Sequence, residues 1–155
     1  ELLRQAADAG SPEAQYALAT FYKEGRGVPK DDREAAKLMG AAALAGNLEA
    51  QTEYAIALYN GTGVGKDEAG AAKLLLKAAQ SGSPIAQNRL ARVYASGRGL
   101  PADPVAAVKW HLISKAAGAT DLYLDEFAQK QAPGVREAAE KAAKPWLAII
   151  AASKT

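Results

Sequence analysis

One short phrase recurs three times in this chain and limits what it can fold into. It reads Gly25-Arg26-Gly27-Val28-Pro29-Lys30-Asp31, then Gly61-Thr62-Gly63-Val64-Gly65-Lys66-Asp67, then Gly97-Arg98-Gly99-Leu100-Pro101-Ala102-Asp103. The copies lie 36 residues apart with no insertion or deletion. A fixed period of that length means one supersecondary unit copied along the chain. Such a unit cannot bury its apolar face alone and must stack on its neighbours. The frame around the phrase recurs as well: Gly10, Gly46, Gly82 and Gly118; Ala14, Ala50 and Ala86; Ala35, Ala71 and Ala107.

The period divides the chain into repeats at 10–45, 46–81 and 82–117, with 1–9 as the end of a preceding repeat and 118–155 as a degenerate one with capping helices. Leu2 sits one period before Leu38, so the opening residues read as the tail of a second helix and the chain as a fragment of a longer protein. Within a repeat, Ser11-Pro12 marks an N-cap with Pro at the first helical position, and Asn47 and Ser83-Pro84 repeat the mark. A first helix is expected from about Pro12 to Lys23, ended by Gly25 in the left-handed region. Asp31 caps a second helix, with Glu34 placed for a capping box; Asp67 and Asp103 stand in the same place. After Gly118 the register weakens: Asp121–Gln131 reads as a first helix and a second follows from Pro133, with Pro145 expected to kink or split it.

Helical spacing selects the packing faces. Ala14, Leu18, Phe21 and Tyr22 form one stripe, matched by Ala50, Tyr54, Ala57 and Leu58 and by Ala86, Leu90, Val93 and Tyr94. Ala35, Leu38 and Ala42 form the stripe of the second helix, answered by Ala71, Leu74 and Ala78. Val28, Val64 and Leu100 are placed to plug each loop into the core. Apolar residues make up 49% of the chain but aromatics only 6%, which suits closely packed helices and disfavours a strand-rich fold. The expected class is all-α: a right-handed α-solenoid of antiparallel helix pairs with a C-terminal helical cap.

Chemistry is sparse. The net charge is +2 and the basic residues do not cluster, which disfavours nucleic acid. No apolar run reaches the roughly 20 residues of a membrane span. The absence of cysteine removes disulfides, thiolate metal sites and cysteine nucleophiles. His111 is the sole histidine, and its equivalents Met39 and Leu75 are apolar, so packing is expected there rather than a metal or an active site. The Gly-x-Gly loops follow helices, not strands, and read as turns rather than phosphate cradles. Asp31/Asp32 and Asp125/Glu126 read as capping or surface groups, and Lys37, Lys73 and Lys109 as a solvated flank. No enzyme, no cofactor and no metal are expected.

The pattern A-x3-L-x3-Y-x2-G-x-G-V-x-x-D-x3-A-x2-W-x3-AA-x2-G resembles the Sel-one-like repeat (SLR), a relative of the tetratricopeptide repeat. The resemblance covers about three full units. Leu38 and Leu74 stand where Trp110 supplies the family's Trp, and Leu58 replaces a Tyr; both changes keep apolar bulk. It implies an adaptor-like bacterial scaffold, periplasmic or secreted, with the cytoplasm as the alternative.

Binding should then sit where the repeats differ on an exposed face. First helices of such arrays line the concave surface. Opposite the buried stripe lie Tyr16, Thr20 and Lys23, then Thr52, Ile56 and Tyr59, then Asn88 and Arg92. Tyr and Arg are enriched at interface hot spots. The expected occupant of this groove is a peptide or partner domain, in envelope regulation, polarity or assembly. A glycan such as a peptidoglycan fragment, taken by Tyr16 and Tyr59, is the alternative.

Overall fold

The computed structural model describes residues 1–154, and they form helices and turns with no strand. The elements are α1 (Leu2–Asp8), α2 (Pro12–Glu24), α3 (Asp32–Leu44), α4 (Leu48–Asn60), α5 (Glu68–Gln80), α6 (Pro84–Ser96), α7 (Pro104–Ala116), α8 (Leu122–Gln129) and α9 (Pro133–Ser153). From α2 to α7 every helix has 13 residues, as a strict repeat requires.

The termini are made by the residues that the period marked. Ser11, Asn47 and Ser83 each accept a bond from the backbone N–H three residues on, at 3.2, 2.8 and 3.1 Å. Gly25, Gly61 and Gly97 end the first helices in the left-handed conformation. Each loop is then closed by the same backbone bond: Asp31 N–H to Tyr22 O at 2.9 Å, Asp67 to Leu58 at 2.8 Å and Asp103 to Tyr94 at 3.0 Å. That bond explains a departure from the capping box. The Asp31 N–H that Glu34 would have accepted from is already taken by Tyr22. Glu34 instead faces Arg4 at 3.7 Å, while Asp31 caps one-sidedly, accepting from Arg33 and Glu34 N–H at 3.1 Å each.

The chain packs as two compact units, Glu1–Leu74 and Leu75–Thr155. In the first, α1 to α4 pack in sequence, each on the next. Its core is Ala7, Ala14, Leu18, Ala19, Leu38, Met39, Ala42, Ala43 and Ala50, flanked by Leu3, Phe21, Tyr22 and Tyr54. Alanine at so many contacts lets helix axes approach closely, and Gly40 goes further: a Cβ there would stand 3.1 Å from the Tyr54 ring. Arg4 on α1 lies over the Tyr22 ring and donates to its hydroxyl, tying the opening helix to α2.

In the second unit α6 packs on α7, and α7 is covered mainly by α9, with the short α8 touching both α6 and α7. The segment after Gly118 therefore does not repeat the earlier pairing, because the long helix takes the larger contact. Trp146 meets Trp110 edge to face, centroids 5.2 Å apart, and Ala139 and Ala143 are buried beside it. Contrary to expectation, α9 runs through Pro145 as one helix of 21 residues. Proline removes one N–H and frees the carbonyl four residues back. Here Lys141, Ala142, Lys144 and Pro145 are all exposed, so water can reach the freed carbonyl, and the contacts on the other side hold the helix together.

Candidate partner-binding site

In the first unit α2 and α4 carry the residues expected to bind, and Glu53 draws two of them, Tyr16 and Lys23, together. The Lys23 ammonium is 3.2 Å from the Glu53 carboxylate. The Tyr16 phenol bonds to the same carboxylate; burial, then the Glu53 charge and hydrogen bond, push its pKa up. Thr20 is turned inward along its own helix, donating to Tyr16 O at 3.1 Å.

Beside this cluster lies a cleft of about 280 Å³ lined by Ala35, Ala36, Met39, Ile56 and Ala57 with Lys23, Lys30, Asp32, Glu53, Asn60 and Thr62. Its wall is apolar and its rim is charged in pairs, Lys23 with Glu53 and Lys30 with Asp32 at 3.4 Å. Lys30 also donates to Lys23 O at 3.0 Å, covering a carbonyl at the end of α2. Such a cleft can seat an apolar side chain and exchange rim ion pairs with a partner. Met39, a core residue in sequence, contributes to its wall, and only the packing of α3 against α4 could reveal that.

Three expected residues stand differently. Thr52 is 3% exposed and its hydroxyl donates to Leu48 O at 3.2 Å, so it cannot present its side chain to a partner. Asn88 and Arg92 are committed within the chain. Arg92 grips Asp121 with Nε at 2.7 Å and Nη2 at 2.9 Å, and Asn88 adds a third bond at 2.9 Å. Asp121 also caps α8 by accepting from Leu124 N–H at 3.2 Å. Burial alone would raise the Asp121 carboxyl, but the bonds from Arg92, Asn88 and Leu124, with the Arg92 charge, outweigh it and hold the pKa below the ordinary value. Tyr59 is half-buried on α4.

His111 is 2% exposed, as its apolar equivalents imply, yet its Nε2 meets Asp125 Oδ1 at 2.7 Å. Lys115 joins the same oxygen at 3.0 Å, and hydrogen bonds from Lys115 and His111 lower the Asp125 pKa. Asp125 is thus a tether between α7 and α8 rather than a plain surface group. The buried imidazole is held to a carboxylate through Nε2, and the Ser114 hydroxyl turns to the His111 backbone carbonyl at 3.1 Å. Among the described residues no group of acidic and histidine side chains could hold a metal ion, and no helix is long and apolar enough to cross a membrane.

Comparison with known proteins places the repeats. No curated protein matches the chain. A Sel1 repeat protein from Oxalobacter formigenes has a similar structure, at 32% identity and a TM-score of 0.70, covering 83% of this chain and 96% of that one. A protective antigen present in uropathogenic Escherichia coli strains, displaying an SLR fold, is similar over 97% of this chain at 28% identity and a TM-score of 0.77. This chain spans 32% of that antigen's length. The Sel1 repeat profile matches residues 1–11, 12–47, 48–83 and 84–118, with the same period as the glycine loops, and the chain belongs to the Sel1 repeat family.

Proposed function

We propose that this chain is a non-enzymatic interaction scaffold whose first unit receives a segment of a protein partner in the cleft between α2, α3 and α4. Sel1 repeat proteins generally serve as scaffolds for protein–protein interaction, and the family is typically non-catalytic. The observation that carries the reading is the cleft itself: an apolar wall of Met39, Ile56 and Ala57 under a rim of paired charges. An apolar anchor displaces water from the wall, while the rim pairs set orientation and cost little to rearrange because they are exposed. The proposed setting is the bacterial envelope, on the family resemblance, and fractionation of cells carrying the tagged protein tests it.

The reading is tested by affinity capture from a native lysate with the chain and with its Lys23→Glu/Ile56→Asp variant, both of confirmed helicity. A protein retained by the first and lost by the second is the expected result. Identical captures would remove the cleft from the mechanism. A muropeptide that binds the chain and not the variant would replace the peptide occupant with a glycan.

A further inference from the structure

The second unit carries another exposed surface, built where α8 is drawn onto α6. On α6, Ile85, Asn88, Arg89 and Arg92 fall at i, i+3, i+4 and i+7 and so share one face. Asp121 is bound to Asn88 and Arg92 on that face, which spends its charge and leaves the next two residues of α8 standing clear. Leu122 is 81% exposed and Tyr123 49%, with the Arg92 guanidinium 5.0 Å from the Tyr123 ring centroid. Ile85, one turn from Arg89, is 59% exposed. These three make up half of the large hydrophobic residues left exposed among the described residues, and all sit on α6 or α8.

Where α8 meets α6 lies an open depression of about 590 Å³ lined by Arg89, Arg92, Thr120, Leu122 and Tyr123 with Asn88 and Asp121. Its charges do not balance. Asp121 answers Arg92, whereas Arg89 is exposed and makes no ion pair among the described residues. The first turn of α8 offers no anion site of its own, since Asp121 already occupies it. What remains is a free guanidinium beside an exposed Leu and a half-exposed Tyr. Guanidinium binds carboxylate through paired N–H bonds, and exposed apolar groups rimmed by charge mark interaction surfaces.

We propose that the α6–α8 surface docks an acidic, apolar peptide segment of a protein partner. One carboxylate of the segment bonds to Arg89 and to the Nη1 edge of Arg92, and a neighbouring aliphatic or aromatic side chain covers Leu122 and Tyr123. This site is separate from the first-unit cleft, so either can fail without the other.

A random-peptide phage library selected on the intact chain supplies the probe, and enriched sequences are synthesised and titrated at two salt concentrations. The expected enrichment is an acidic residue adjacent to an aliphatic or aromatic one, with binding that weakens as salt rises. Arg89→Glu and Leu122→Ser should each weaken those peptides about tenfold, and Ile56→Asp should leave them within about twofold. Both altered side chains on this surface are exposed, so helicity should be unchanged, and Arg89→Gln provides a milder variant should the charge reversal disturb folding. Failure to enrich any sequence, enrichment without acidic residues, or equal binding to the Arg89 variants would overturn the proposal. Peptides lost only with Ile56→Asp would also overturn it, while leaving the cleft reading in place.

Discussion

Asp121 shows how one side chain can hold two jobs at once: it caps α8 and pins that helix to α6. Its side chain is 5% exposed while that of its partner Arg92 is 48% exposed, so solvent screening tempers the pair, and Asp121→Asn should cost about 1.5–3 kcal/mol in urea unfolding at neutral pH. The carboxyl pKa is lowered in the fold. Its contribution is therefore complete above the unfolded value of about 4 and is lost as pH falls through the folded one. The stability gap between the two proteins should close in acid, and a gap unchanged at low pH would contradict this. Gly63 makes a second residue-scale case. It has φ 72°, and a Cβ would lie 2.1 Å from Asp32 O; Gly27, at φ 73°, would meet nothing within 4 Å. Gly27→Ala should thus cost about 1 kcal/mol for conformation alone, and Gly63→Ala about 3 kcal/mol or more because the loop must lift off α3. Equal losses in thermal unfolding would sink the distinction.

At the scale of elements, α9 is held by what it covers rather than by its own sequence. Pro145 is unfavourable inside a helix, and it is exposed, so Pro145→Ala should stabilise the chain by about 1–3 kcal/mol. Trp146→Ala removes the edge contact with Trp110 and should cost about 2–4 kcal/mol, with a loss of near-ultraviolet dichroism from the tryptophan pair. A neutral Trp146 variant would mean that α9 does not depend on α7.

For the whole molecule, a repeat array adds local terms, so damage should stay near its source. Gly63→Ala is expected to speed amide exchange through α2, α3 and α4 and to spare α7 and α9. Trp146→Ala should do the reverse. A uniform rise under either variant, read by hydrogen-exchange mass spectrometry, would show a single cooperative block instead.

Much of this was legible because repeats print their backbone needs at fixed intervals. Left-handed glycines, side-chain caps and alanine stripes are local requirements, satisfied within a few residues, and a 36-residue period displays each of them several times. The recurrence of Gln15, Gln51 and Gln87 carried another signal of this kind. Each donates to the carbonyl of Ala7, Ala43 or Ala79, at 3.2, 3.3 and 3.1 Å, yet polar residues at one register position read as surface. The sites were less legible, because a residue's availability depends on what arrives from elsewhere in the chain. Asn88 and Arg92 look free until Asp121, some thirty residues on, closes over them, and Thr52 looks exposed until its neighbours pack. By itself the sequence determined the helices of the repeats, their glycine ends and the period, since those follow from local backbone geometry, whereas the unbroken course of α9 through Pro145 came from what it packs on. Which side chains are left to meet a partner was decided only by tertiary packing, since burial and pairing are properties of residues far apart in the chain.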